Sequence, residues 1–158
     1  MTTAFDTEFR HLIPEEMETM TEETISKTMP RIFLADDQEE MLQTIAMILE
    51  DDFWIVGTAT NGVRVLELAP ELHPDVLVLD ISMPLVNGLE AALRLRETCS
   101  SVKVIFLTIH DDHDFVEAAK SVGALGYVLK PHLGTDLIPA IRKVLEGDTF
   151  VSSSLLFP

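Results

Sequence analysis

From Arg31 onward the chain alternates short, wholly apolar runs with longer segments whose apolar residues recur at helical spacing. The first run, Ile32-Phe33-Leu34-Ala35, is short and uniformly apolar, which predicts a strand buried on both faces. Gln38 to Glu50 then carries Met41, Leu42, Ile45, Ile48 and Leu49 on one helical face. Trp54 to Ala59 reads as a second strand, and Gly62 to Leu72 as a second helix bearing Val63, Leu66 and Leu68. Val76-Leu77-Val78-Leu79 is a third strand that delivers Asp80 at its end and stops at Pro84. Asn87-Gly88 turns the chain into a third helix with Leu89, Leu93 and Leu95. Val104 to Thr108, Phe115 to Val122, Gly126 to Leu129 and Leu137 to Leu145 complete the series as strand, helix, strand and helix. Strand and helix in strict alternation predict an α/β fold, a parallel sheet with right-handed crossovers.

Strands one, three, four and five end on Asp36 and Asp37, Asp80, Thr108 and Lys130. That edge is where open α/β sheets bind ligands. An Asp closing a strand is by itself more often a helix cap or turn residue than a reactive one. Polar residues delivered to one edge by four strands are harder to explain that way. Three carboxylates gathered there repel, since two unit charges about 4 Å apart cost about 4 kcal/mol at an effective dielectric of about 20. A cation must offset them, and a few hard oxygen ligands completed by waters and phosphate oxygens are what Mg²⁺ takes. Lys130 adds a second positive charge on a stem long enough to reach a neighbouring carboxylate or phosphoryl oxygen. Thr108 adds a hydroxyl donor.

Composition narrows the function. At 158 residues the chain holds one domain and a short appendage. Its apolar runs are too short to span a bilayer and its acidic N-terminus lacks a signal-peptide core, so a cytoplasmic protein is expected. A net charge of -16 opposes docking on nucleic acid or an anionic membrane by this chain itself. Cys99 has no second cysteine to pair with and reads as a small residue near a helix end. Residues 1–30 stand apart as an acidic extension, either a flexible tail or a short helix on which Phe5, Phe9, Leu12 and Ile13 share a face. His110-Asp111-Asp112-His113-Asp114 has residue types that ligate transition metals, but an exposed loop with Asp112 capping the next helix explains it more simply.

The pair Asp36-Asp37, the run Asp80-x-x-Met83-Pro84 followed by Asn87-Gly88, the lone Thr108, and Gly126-Tyr127-Val128-Leu129-Lys130-Pro131 together resemble the receiver domain of bacterial two-component response regulators. The resemblance spans about Arg31 to Glu146. Leu34-Ala35-Asp36-Asp37, Leu107-Thr108-x-His110-Asp111-Asp112 and Gly147-Asp148-Thr149-Phe150-Val151 are most similar to receivers that precede a helix-turn-helix DNA-binding domain. It implies a doubly wound, five-stranded parallel sheet of flavodoxin-like order 2-1-3-4-5. Residues 31–147 would be the receiver and 148–158 the remnant of a linker to an output domain that these residues do not include.

In function, the resemblance implies that Asp80 accepts a phosphoryl group from a sensor histidine kinase. Mg²⁺ would be held by Asp36, Asp37, Asp80 and the backbone carbonyl of Ser82, and Lys130 and Thr108 would read the phosphoryl group. The domain then catalyses only its own phosphorylation and dephosphorylation and is not an enzyme acting on other substrates. The switch would run through Thr108, which swings toward the phosphoryl group, and Tyr127, which turns inward behind it. The face of the fourth helix, fifth strand and fifth helix would then dimerise or release a partner domain that binds DNA. The Lys130–Pro131 bond is expected to be cis. Leu85 stands where a small residue such as Gly is common and Ile109 where Ala is usual, while Ser82 and His110 hold rate-tuning positions. Two other readings compete: a stand-alone scaffold, and an aspartyl-phosphate hydrolase, whose second Asp is here replaced by Ser82.

Overall fold

The computed structural model describes residues 29–156. The helix expected around Phe5 to Ile13 lies outside them. Six strands form one parallel sheet: β1 (Arg31–Ala35), β2 (Trp54–Ala59), β3 (Val76–Leu79), β4 (Lys103–Thr108), β5 (Gly126–Leu129) and β6 (Phe150–Val151), in the order β2-β1-β3-β4-β5-β6. Five helices connect them: α1 (Glu39–Leu49), α2 (Gly62–Leu72), α3 (Gly88–Thr98), α4 (His113–Ser121) and α5 (Leu133–Leu145). The expected order 2-1-3-4-5 is therefore present, with a sixth strand added at its edge. No helix among the described residues is long and apolar enough to cross a membrane.

Both faces of the strands are apolar because each parity packs under a different helical layer. Ile32, Leu34, Val76, Val78, Ile105, Leu107 and Val128 meet Leu42, Ile45 and Leu49 of α1 and Leu137, Ile141 and Val144 of α5. Phe33, Leu77, Leu79, Phe106, Tyr127 and Leu129 meet Val65 and Ala69 of α2, Ala91 and Leu95 of α3 and Val116 and Ala119 of α4. Parity thus decides which layer each strand-end side chain belongs to.

Two departures concern the last third of the chain. Pro131 follows a trans bond, correcting the cis expectation: no cis peptide occurs among the described residues. Lys130–His132 form one 3₁₀ turn, and proline at its start suits the fixed φ and needs no N–H. Beyond α5, the segment expected to be a linker remnant contributes β6, where Gly126 pairs with Phe150 and Tyr127 with Val151. Ser152, fully buried, then accepts from Leu129 N (3.1 Å) and donates to Asp136 Oδ2 (2.8 Å), and Leu155 packs into the core.

Candidate functional site

Asp36, Asp80 and Lys130 continue the rows of Leu34, Val78 and Val128, so the three strand ends deliver them to the same side of the sheet edge. Lys130 Nζ lies 2.8 Å from Asp36 Oδ2 and 3.1 Å from Asp80 Oδ2. Asp37 is exposed, yet it offers an oxygen within 4.8 Å of those of Asp36 and Asp80. One ammonium faces three carboxylates. Burial raises the pKa of Asp80, with nearby Asp36 adding to the effect; the hydrogen bond and charge of Lys130 offset only part of this. For Lys130, burial opposes the charged form, but Asp36 and Asp80 outweigh it and raise its pKa.

The Asp36 carboxylate is divided between two tasks. Its Oδ1 accepts from Gln38 N at 2.9 Å, the turn that launches α1, whose N-cap residue Gln38 provides no side-chain cap. Its Oδ2 is buried with Lys130 as charge partner and no donor aligned on it. That buried oxygen, ion-paired with Lys130 and beside two more carboxylates, is the donor chemistry that a hard divalent cation satisfies, so Mg²⁺ fits these residues.

The loop after Asp80 is held by close backbone approach. Asp80 N donates to Ala35 O at 3.0 Å and Gly88 N to Ile81 O at 2.8 Å. A Cβ on Gly88 would lie 2.0 Å from Asp80 O, and one on Gly62 2.0 Å from Val86 O, so both positions require glycine. Asn87 caps α3 by accepting from Glu90 N at 2.9 Å. Between these anchors Val86 N bonds to Pro84 O at 2.9 Å around Leu85, whose φ is 69° and whose side chain is 79% exposed. This is the strained form of the γ-turn.

Thr108 and Tyr127 share the other parity, since Phe106 pairs with Tyr127 and Thr108 follows two residues on. Tyr127 already faces inward at 2% exposure and donates from its hydroxyl to His110 O at 2.6 Å. Burial, then the charges of Asp111, Asp112 and Asp80, push its phenol pKa upward, so it stays a donor. Thr108 is fully buried, and its Oγ1 accepts from His110 N at 3.3 Å, so its hydroxyl is engaged by its own loop. The His110 ring stacks on Phe115 (centroids 4.2 Å apart, 19° between planes) and shares a 2.8 Å hydrogen bond between Nε2 and Ser82 Oγ. From the sequence, Ser82 enters the site through its carbonyl and, with His110, as a rate-tuning position, but not as a hydrogen-bonded pair. Its side-chain partner was signalled by position alone, two residues after Asp80 as His110 is two after Thr108. Asp112 occupies the N-cap position of α4 but makes no side-chain cap bond. The one group of potential metal ligands found among the described residues is Asp36, Asp37 and Asp80, not the His110–Asp114 loop.

Comparison with known proteins agrees with this geometry. The family model "Response regulator receiver domain" matches residues 32–142. The transcriptional regulatory protein DegU of Brevibacillus brevis is 34% identical over 131 residues, 82% of this chain and 56% of that protein. The oxygen regulatory protein NreC of Staphylococcus epidermidis is 37% identical over 128 residues, 79% of this chain and 59% of that one. The chain therefore spans a little over half the length of these curated relatives. A LuxR-family two-component response regulator from Aurantimonas superposes with a TM-score of 0.78 at 27% identity, covering 81% of this chain and 93% of that one. The isolated receiver domain of RcsB from Salmonella enterica, solved with the phosphomimetic BeF3-, gives 0.75 at 26% identity, covering 80% and 96%. With the acidic trio, the partly buried lysine and the sheet order in place, the chain belongs to the response regulator receiver domains of two-component systems, among relatives of the LuxR family.

Proposed function

We propose that this receiver takes a phosphoryl group on Asp80 from the phosphohistidine of a sensor kinase, and that Asp36, Asp37 and the Ser82 carbonyl join Asp80 in holding Mg²⁺. The observation that carries this reading is Lys130 Nζ placed between Asp36 Oδ2 and Asp80 Oδ2 beneath a third carboxylate. In the transfer, an Asp80 carboxylate oxygen forms a bond to phosphorus as the bond to the donor nitrogen breaks. Little acid–base chemistry is needed, and catalysis rests on position and charge. Partial desolvation of Asp80 leaves its carboxylate less solvated as a nucleophile, while Lys130 steadies it and is within reach of a phosphoryl oxygen. Bound Mg²⁺ supplies charge neutralisation for the carboxylates and the incoming phosphoryl oxygens.

The domain works in the cytoplasm as a phosphoacceptor, modifying only itself. Thr108, whose Oγ1 accepts from His110 N and keeps its own proton to give, donates to the phosphoryl group, and Tyr127 in its inward position reports that change to α4 and β5. The response leaves by self-association of that face or through a DNA-binding domain like those of longer response regulators. The test is Mg²⁺-dependent uptake of phosphate from acetyl phosphate, followed by intact mass. Asp80→Asn is expected to take up none, and an undiminished mass shift in that variant overturns the assignment. Calorimetric Mg²⁺ titration suits the metal site better than Trp54 fluorescence, because Trp54 opens β2 at the opposite end of the sheet, against Arg31.

A further inference from the structure

Ser82 and His110 are joined side chain to side chain at the mouth of the acidic pocket. Ser82 leaves β3 two residues after Asp80, and His110 leaves the adjacent β4 two residues after Thr108, so their bond spans the gap above the two strand ends. A phosphoryl group on Asp80 would project into that gap. Ser82 Oγ and His110 Nε2 are 2.8 Å apart, the reach at which an imidazole takes a hydroxyl proton as general base. The base is itself oriented: its ring stacks on Phe115 at 4.2 Å, and its backbone is fixed on both sides, the amide N–H donating to Thr108 Oγ1 and the carbonyl accepting from the Tyr127 hydroxyl. A nucleophile, a base and a third element fixing the base is the arrangement of an activated serine.

We propose that Ser82 is a second phosphoacceptor, which receives the phosphoryl group from Asp80 and converts a labile acyl phosphate into a lasting phosphoserine. This rests on phosphorylation of Asp80 as read above. The Asp80 Oδ–P bond breaks and a Ser82 Oγ–P bond forms. The hydroxyl proton passes to His110 Nε2 of the Nδ1–H tautomer, and Asp80 is regenerated as a carboxylate beside Lys130 Nζ at 3.1 Å. No other reactant is required, and a phosphate ester in place of an acyl phosphate makes the transfer run downhill. The exposure of Ser82 leaves room for the new group without unfolding the loop.

The whole chain is incubated with acetyl phosphate and Mg²⁺, then split into samples with and without hydroxylamine, which cleaves acyl phosphates and spares phosphoserine. The resistant fraction is read by intact mass relative to the labile adduct in the same preparation and located by peptide sequencing. A resistant phosphoryl group on Ser82 is expected in the parent, absent in Ser82→Ala and reduced by about a hundredfold in His110→Phe, which keeps the ring stack and removes the base. Asp80→Asn is expected to yield neither adduct. A labile adduct that returns wholly to unmodified protein, so that the Ser82–His110 bond is only a structural strap, overturns the proposal and leaves the reading of Asp80 standing. Resistant phosphate in Ser82→Ala or in Asp80→Asn overturns it as well. Absence of any adduct in the parent overturns both.

Discussion

Leu85 shows how a residue can be legible as unusual without its reason being legible. The sequence marks it as standing where a small residue such as glycine is common, and the structure gives the cause: a φ of 69° at the centre of a tight turn. A left-handed conformation costs a non-glycine residue about 1–2 kcal/mol. Glycine removes that cost but loosens the unfolded chain, a penalty of about 0.4–1 kcal/mol. Leu85→Gly is therefore expected to leave stability unchanged or raise it by up to about 1.6 kcal/mol, despite removing a large apolar side chain, because that residue is exposed. Denaturant unfolding measures this, and a loss above about 1 kcal/mol shows that Leu85 packs where the structure leaves it in water. Asp36, Asp37, Asp80 and Lys130 were legible as candidates because separate strands of one parallel sheet end on them, which places them at one edge. The Ser82–His110 bond was not, because it depends on where two loops meet.

The elements were legible wherever the apolar period was strong. Predicted β2, α2 and β5 match the observed bounds, and α1 differs by a residue at each end. The last helix starts at Leu133, four residues before the predicted Leu137, because Leu133-Gly134-Thr135-Asp136 contains a glycine and two polar residues that mask the period. β6 has two residues and announces itself by no pattern, yet Ser152 gives it a firm anchor. Removing that hydroxyl leaves Leu129 N and Asp136 Oδ2 without their buried partner, each unmet group costing about 1–3 kcal/mol. Ser152→Ala is expected to lower unfolding free energy by about 2 kcal/mol, and a change below about 0.5 kcal/mol means that β6 is not part of the cooperative fold. Gly88→Ala brings a methyl group to within 2.0 Å of Asp80 O, a backbone atom that cannot rotate away. Its expected loss is about 3 kcal/mol or more, the upper end for overpacking, accompanied by slower phosphate uptake because the moved carbonyl belongs to Asp80.

At the scale of the whole molecule, a chain of net charge -16 gathers three carboxylates around one partly buried lysine, and hydrogen bonds run from the neighbouring strand end to the far edge of the sheet. The path is continuous: Thr108 to His110 N, His110 O to Tyr127, and Tyr127 O to Ser152 N at 2.9 Å, next to β6. Because Tyr127 is already inward, phosphorylation has only to favour this arrangement over others, not to create it. Moving a state from about 1% to about 99% takes about 5.5 kcal/mol. Charge-assisted hydrogen bonds from Thr108 and Lys130 to a phosphoryl group, at about 1.5–3 kcal/mol each, supply most of that. Slower amide exchange is therefore expected across residues 109–116 and 150–155 when the chain carries phosphate or beryllofluoride on Asp80. Thr108→Ala should still be phosphorylated but lose that slowing, since the hydroxyl linking phosphate to His110 is gone. Tyr127→Phe, which keeps the buried ring and loses only the bond to His110 O, should retain the slowing at 109–116 and lose it at 150–155. If both variants slow exchange in both segments as the parent does, the signal does not travel along this path, and the response must leave through a surface other than α4, β5 and β6.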